Sequence, residues 1–349
     1  MKRKNVAYAA TAGAAVGVLG LTALALPAGA GAAPALPPVA PEQLVESVMR
    51  ADPPALTGTV EVDNALGLPA IPGAGQASEL LSDGTSKFQV WADGQGRHRV
   101  SVPSHNGEMT VVDDGSTVWK WDSAEQKVVR STGHAPESAE HQGLADPAAA
   151  ARQIIDKLRQ TSDVKVDGTA SVAGRDAYEL VLTPKPTERT LLREVRVAVD
   201  AEKRIPLELS VLTNGSNDPA FQVGFSDVDL SAPDPALFRF TPPAGAEVTD
   251  GKAEHAPQQR PEHPQGEHKV VGDGWDLVVV AQLPQQQEKQ QGGQDLRQVA
   301  EQVGKPVSGP WGNGWIIGTA AGNALLTSDG RVAAGAVPEQ VLTAALGGA

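Results

Sequence analysis

His134, Glu137 and His141 come nearest to a metal set in this chain. Two imidazoles and a carboxylate are zinc donors, but a working H-E-x-x-H presents its histidines on one helix face. These three sit instead on a Gly- and Ser-containing loop, where such groups are usually solvated. His255, His263 and His268 fall in a Pro- and Gln-rich run. A flexible run of that kind could hold a transition metal weakly; the preferred reading is a soluble spacer. Nucleophilic catalysis fares no better: no G-x-S-x-G occurs, and the chain has no cysteine to supply a thiolate. Gly312-Asn313-Gly314 with Gly318 resembles a phosphate loop in composition alone, since no strand is read before it and no helix after it; a tight turn between strands accounts for it. Asp113-Asp114 and the Asp200/Glu202 pair lie at turns, where carboxylates bond nearby N–H groups rather than shuttle protons. The residues therefore imply no catalytic set, no metal and no cofactor, and the protein reads as a non-enzyme; an enzyme acting on cell-wall material is the least favoured alternative.

What remains is apolar surface and the elements that would shape it. Between Leu191 and Val248 the apolar residues recur at every second position: Val195, Val197 and Val199, then Leu207, Leu209 and Val211, then Phe221, Val223 and Phe225. Period two marks strands with one buried face. The polar stretch from Asp200 to Arg204 makes the first two a hairpin, and Asn214 to Asp218 leads to the third. Asp234-Pro235 then caps a short helical turn ending near Phe238.

Upstream, Pro41 starts a short helix whose apolar face is Leu44, Val45, Val48 and Met49. A strand over 57–64 follows, then a Gly- and Pro-containing loop over 66–84. From Thr85 the chain predicts strand after strand at about ten-residue spacing with tight turns, an antiparallel meander. Alternation suggests that Val100, Val102, Met109, Val111, Trp119 and Trp121 share a dry face, with Arg97, Arg99 and Lys120 on the wet one. Asp146-Pro147 caps a segment, 148–160, whose Ala151, Ile154, Ile155 and Leu158 recur at helical spacing. Such a helix must dock on a dry sheet face. A hairpin over 164–172 and 175–183 places Tyr178, Leu180 and Leu182 on one side.

The ends carry organisation of their own. Lys2, Arg3 and Lys4 precede an uncharged apolar run to Leu26, then Pro27 and small residues to Ala33, the pattern of a signal peptide cleaved near Ala33. The run is also roughly as long as the ~20 residues a bilayer needs, so an uncleaved anchor is the alternative. Either way the chain is expected to be exported, secreted or associated with the cell envelope. Without cysteine it has no disulfides to staple it, so its core must hold alone. Beyond Ala33 there are 26 basic against 42 acidic side chains, a net charge of −16, which argues against nucleic acid as a partner. The expected organisation is a signal peptide over 1–33, a β domain over 34–248, a polar linker over 249–270 and a small α/β module over 271–349. In that module Trp275 to Leu283 is expected as a strand, 295–303 as a helix, strands at 315–319, 324–327 and 332–337, and a last helix from Pro338.

The ordered series of these pieces resembles the superfamily of exported lipid and lipoprotein binders that includes LolA/LolB and the N-terminal domain of RseB/MucB. It is carried by the helix at 41–50 leading into Gly58-Thr59-Val60, by Gly96-Arg97-His98-Arg99-Val100, and by Asp113 to Asp122. The later pieces are Tyr178 to Pro184, Val199-Asp200 with Pro206-Leu207, and Phe240-Thr241-Pro242-Pro243-Ala244-Gly245. The resemblance spans residues 40 to 248. It implies a mainly β (α+β) fold: an unclosed antiparallel half-barrel covered by helices, accepting acyl chains on its concave face. The side chains expected to line that cavity are Val90, Val100, Val102, Met109, Val111, Trp119, Trp121, Ile154, Leu158, Leu180, Leu182, Val197, Leu209 and Phe225. The implied role is an exported carrier for a lipid, lipoprotein acyl chain or other hydrophobic ligand. The alternative is an RseB/MucB-like envelope sensor that contacts a membrane-anchored anti-sigma factor.

Overall fold

The computed structural model describes residues 34–67, 83–104, 106–132, 155–251, 268–282 and 296–347. The helix α1 (Pro41–Arg50) has Pro at its start and Glu42 in its first turn, where a carboxylate meets the positive end of the helix dipole. The strands β1 (Ala55–Asn64), β2 (Gly84–Asp93), β3 (His98–Ser104), β4 (Gly107–Asp113), β5 (Thr117–Asp122) and β6 (Lys127–Thr132) follow as a meander. A helix α2, described over residues 155–161, leads directly into β7 (Ser162–Val172) and β8 (Arg175–Pro184). The hairpin β9 (Leu192–Asp200) and β10 (Pro206–Thr213) precedes β11 (Pro219–Asp229), and a short strand β12 (Glu247–Asp250) closes the series. Together they form one twelve-stranded sheet in the order β12-β6-β5-β4-β3-β2-β1-β11-β10-β9-β8-β7. The two ends of that order do not pair, so the fold is mainly β, a half-barrel left unclosed and covered by helices.

All but one of these strand pairs are antiparallel. β12 runs parallel to β6, and a parallel neighbour cannot be reached by a tight turn. Since β11 lies beside β1 in mid-sheet, the chain over 230–246 must cross one face to reach β6. This strap begins with the expected capped turn: Asp234 Oδ1 accepts from the Ala236 N–H at 2.8 Å, and Phe238 is buried. The hairpin around Asp200 and that around Gly174 are also as expected. The 66–84 loop is described only at its ends, and residues 1–33 and the first part of the helix expected over 148–160 lie outside the described residues.

The chain beyond 268 builds a second sheet of six antiparallel strands, β13 (His268–Val271), β14 (Val278–Gln282), β15 (Lys305–Gly309), β16 (Gly312–Gly318), β17 (Asn323–Thr327) and β18 (Arg331–Gly335). Helices α3 (Leu296–Val303) and α4 (Glu339–Gly347) accompany it. One sheet face buries Val278, Val280, Ile316, Leu325 and Ala333 under Leu342, Ala345 and Leu346 of α4. Three expectations change here. Trp275 belongs to a 3-10 turn, Gly274–Asp276, rather than to a strand. Strand β15 was not foreseen, and Gly312 to Gly314 are part of β16 rather than a turn. Both ends of the stretch read as a linker are also in strands, Thr249 and Asp250 in β12 and His268 to Val270 in β13.

Residues Leu36–Ala349 form one compact unit, and polar contacts tie its two sheets together. The Leu191 N–H and the Thr190 hydroxyl both donate to the Ala336 carbonyl, at 2.9 and 2.7 Å. The Trp275 indole N–H donates to Ser162 Oγ at 2.7 Å, and its backbone N–H donates to Glu188 at 3.0 Å. Gly274 makes this approach possible. Its φ is +57°, and a Cβ there would lie 2.5 Å from Thr161 Cγ2.

Candidate functional site

Directly opposed residues of an antiparallel sheet share a face, so the register fixes which side chains meet. One row runs Leu180, Val197, Leu209, Val223 and Val62 across β8, β9, β10, β11 and β1. On the same side of β1, Val60 opposes Phe225 and Phe88, and the row continues one step on as Val90, Val100 and Val111 across β2, β3 and β4. Val102 opposes Met109 beside them. The apolar face is thus continuous over eight strands. At its β7–β9 end Leu44 of α1 and Ile155 of α2 pack with Val164, Tyr178, Leu180 and Val199; Leu158, Leu182, Val197, Leu36 and Val39 lie against that cluster. We call this the helix face. From β2 to β4 its side chains are only half-buried, so apolar surface stays accessible there.

Trp119 and Trp121 are not part of it. Register sets Trp119 opposite Val112 and Trp121 opposite Thr110, while Val111 faces Lys120. Alternation within β4 and within β5 was read correctly; the offset between them was not. A slip of one residue exchanges the faces, and it is fixed by the turn, in which Asp113 pairs with Val118. Arg99, expected on the wet face, lies in one row with Trp91, Val112, Trp119 and Arg130. The Arg99 guanidinium stacks 5.8 Å from the Trp91 ring and that of Arg130 5.9 Å from Trp119. The strap lies over this row: Trp119 meets Phe240 at 5.6 Å, Arg97 sits 5.4 Å over Phe238, and Arg99 donates to the Leu237 carbonyl at 3.4 Å. Trp119 is thus packing for the strap, and Trp121 faces the same side of the sheet.

The same side of the sheet is polar at its other end, where Glu179, Ala198, Glu208, Gly224, Glu61 and Lys87 oppose one another in sequence. Burial pushes the Glu208 carboxyl up; hydrogen bonds from Ser210 and Gln222 offset part of this, and the charges of Glu179 and Asp63 add to it. Beside that charged row lies a small buried apolar cluster, Val172, Ala177, Ala198 and Leu207, so the helix face is the sheet's more extended apolar face rather than its sole one. The turn acids behave as turn residues. Asp114 Oδ1 accepts from the Ser116 and Thr117 N–H groups, both at 2.9 Å, and Asp200 Oδ1 from those of Glu202 and Lys203, at 2.8 and 2.6 Å. Arg175 pairs with buried Asp200 as well. Burial alone would raise the Asp200 carboxyl, but Arg175 and the two backbone donors outweigh it and hold the group below the usual carboxylate range.

Of the expected lining residues, Val90, Val100, Val102, Met109, Val111, Leu158, Leu180, Leu182, Val197, Leu209 and Phe225 fall on or against the helix face, and Ile154 lies outside the described residues. Val60, Val62, Phe88 and Val223 complete the face and were missed, although their strands alternate as plainly. Phe225 lies close over Gly58, where a Cβ would come within 2.6 Å of its ring. His134, Glu137, His141, His255 and His263 also lie outside the described residues, and among the described residues no group of His, Asp and Glu could hold a metal ion. No described helix is long and apolar enough to cross a membrane.

No protein-family description matches the sequence, and no curated protein matches it. Among solved structures the chain is similar to one from the Pseudomonas aeruginosa MucA/MucB complex, with 16% identity over 87% of this chain and 94% of that one and a TM-score of 0.43. It is similar also to a LolA-superfamily protein from Nitrosomonas europaea, with 13% identity, 58% and 99% of the two chains covered and a TM-score of 0.25. A third similar structure is the Mycobacterium tuberculosis lipoprotein LppX, with 10% identity, 54% and 97% covered and a TM-score of 0.27.

Proposed function

We propose that this is an exported, non-enzymatic binding protein or carrier whose helix face takes a lipid, a lipoprotein acyl chain or another hydrophobic ligand. The observation that carries this reading is the unbroken apolar face over eight strands, left half-buried from β2 to β4. Soluble proteins rarely leave contiguous apolar surface without a use for it. Val90, Val100, Val102, Met109 and Val111 would hold the chain of the ligand, and α2, through Leu158, would border its far end. Native mass spectrometry of protein purified from its host, followed by lipid extraction, tests this. A co-purified lipid supports it; a ligand-free protein that also fails to bind a fluorescent fatty acid rules it out.

A second reading, an envelope sensor with a membrane-anchored protein partner, draws on the second sheet, which is docked through Trp275, Asp276 and Ala336 rather than tethered loosely. Affinity capture from solubilised envelopes that recovers no membrane protein would count against it.

A further inference from the structure

We propose a second binding site, for an uncharged aliphatic molecule, in the cleft where the two sheets meet. The cleft has a volume of about 610 Å³, within the ~300–1,000 Å³ typical of small-molecule sites. One wall is Leu158, Thr161, Ser162 and Leu192; the other is built around Trp275, Leu277, Val279 and the run Ala334-Gly335-Ala336. Small residues make the space. Gly335 cannot be enlarged, since a Cβ would stand 2.6 Å from the Leu277 carbonyl oxygen, and Ala334 opposes Val279 with only a methyl group.

The chemistry of the ligand follows from what the walls offer. Among the described residues no charged side chain lines the cleft. Two of its polar groups are already engaged: the Trp275 indole N–H with Ser162, and the Ala336 carbonyl with both Leu191 and Thr190. A charged ligand would lose its water and meet no opposite charge on these walls, whereas a hydrocarbon has nothing to lose. The exposed apolar residues point the same way. Leu277 is 37% exposed and Val279 41%, and Val270, at 52%, opposes Val279 on the neighbouring strand. They form one apolar rim at the mouth of the cleft. The site is separate from the helix face and shares only Leu158 with it.

Trp275 supplies the readout, because a bromine atom quenches indole emission on contact and no tryptophan lies on the helix-face rows. The probe is a bromodecanol carrying its bromine at the end away from the hydroxyl, titrated against the full chain with plain decanol as control. The expected result is a saturable loss of emission in the wild type. Ala334→Leu, which fills the cleft, and Val279→Asp, which charges its exposed rim, should each weaken it about tenfold or more, or a shift of at least ~1.4 kcal/mol. Gln89→Glu, exposed on the strap side and outside both sites, should leave the quenching unchanged. Non-saturating quenching in the wild type, or saturable quenching unaltered in both cleft variants, overturns the proposal. Loss of quenching in Gln89→Glu overturns it too, since that residue touches no part of the cleft. Failure of the carrier reading looks different: fluorescent fatty acid would not bind while bromodecanol still did.

Discussion

Val100→Glu is the sharpest test of the helix face. Val100 sits between Val90 and Val111 in a row of opposed residues, so a chain laid across the strands must pass over it. Neighbouring strands are about 4.8 Å apart, so one side chain lies against about four methylenes of such a ligand and covers each on one side only, the equivalent of about two fully buried. At about 0.8 kcal/mol per buried methylene, losing that contact costs about 2 kcal/mol, or close to thirtyfold in affinity. A carboxylate trapped beneath the ligand adds to the loss. Because Val100 is only half-buried, the fold itself should give up about 1 kcal/mol. Gln89→Glu is the matched control, an exposed residue whose register puts it on the strap side of the adjoining strand. Displacement of a fluorescent fatty acid measures the affinity, and circular dichroism melting verifies folding. If folded Val100→Glu binds as the wild type does, or if Gln89→Glu is weakened equally, the assignment of faces is wrong.

Three further outcomes are expected. Asp200→Asn breaks a buried pair and should cost about 3 kcal/mol in urea unfolding, the low end for such pairs because Arg175 is partly solvated. The folded Asp200 carboxyl lies below its unfolded value, so its contribution is present above the ordinary carboxylate range and vanishes as pH falls through the folded value; the gap between variant and wild type should therefore close in acid. Glu208→Gln has the opposite sign. The folded carboxyl is raised, its contribution is lost as pH rises, and the amide should melt higher than the wild type at pH 7 and equally once the acid is protonated in both states; a lower melting point at pH 7 would contradict the burial argument. Gly274→Ala should cost about 1–3 kcal/mol by forcing an L side chain to positive φ against Thr161, seen as a lower melting point and faster proteolysis near Trp275; an unchanged variant would mean the junction is slack.

The sequence by itself determined the elements. Period-two alternation and the spacing of turn signals marked strands β1 to β11, the helix in α1 followed from its apolar spacing and opening proline, and Asp234-Pro235 announced the capped turn, because each is set by contacts within a few residues. It also determined that the turn acids are structural, since Asp114 and Asp200 bond the N–H groups that follow them. Tertiary structure decided which faces meet. Trp119 and Trp121 alternate as regularly as Met109 and Val111, yet a one-residue offset at Asp113↔Val118 sends them to the strap side, Trp119 against Phe240 and Arg130. Strand β15, with Pro306 and two residues of low strand propensity at its end, is held by pairing with β16 rather than by its own preference. The cleft between the sheets lay beyond any local pattern. Its walls come from residues more than eighty positions apart, and its volume exists because Ala334, Gly335 and Ala336 are small where Leu158 and Trp275 approach.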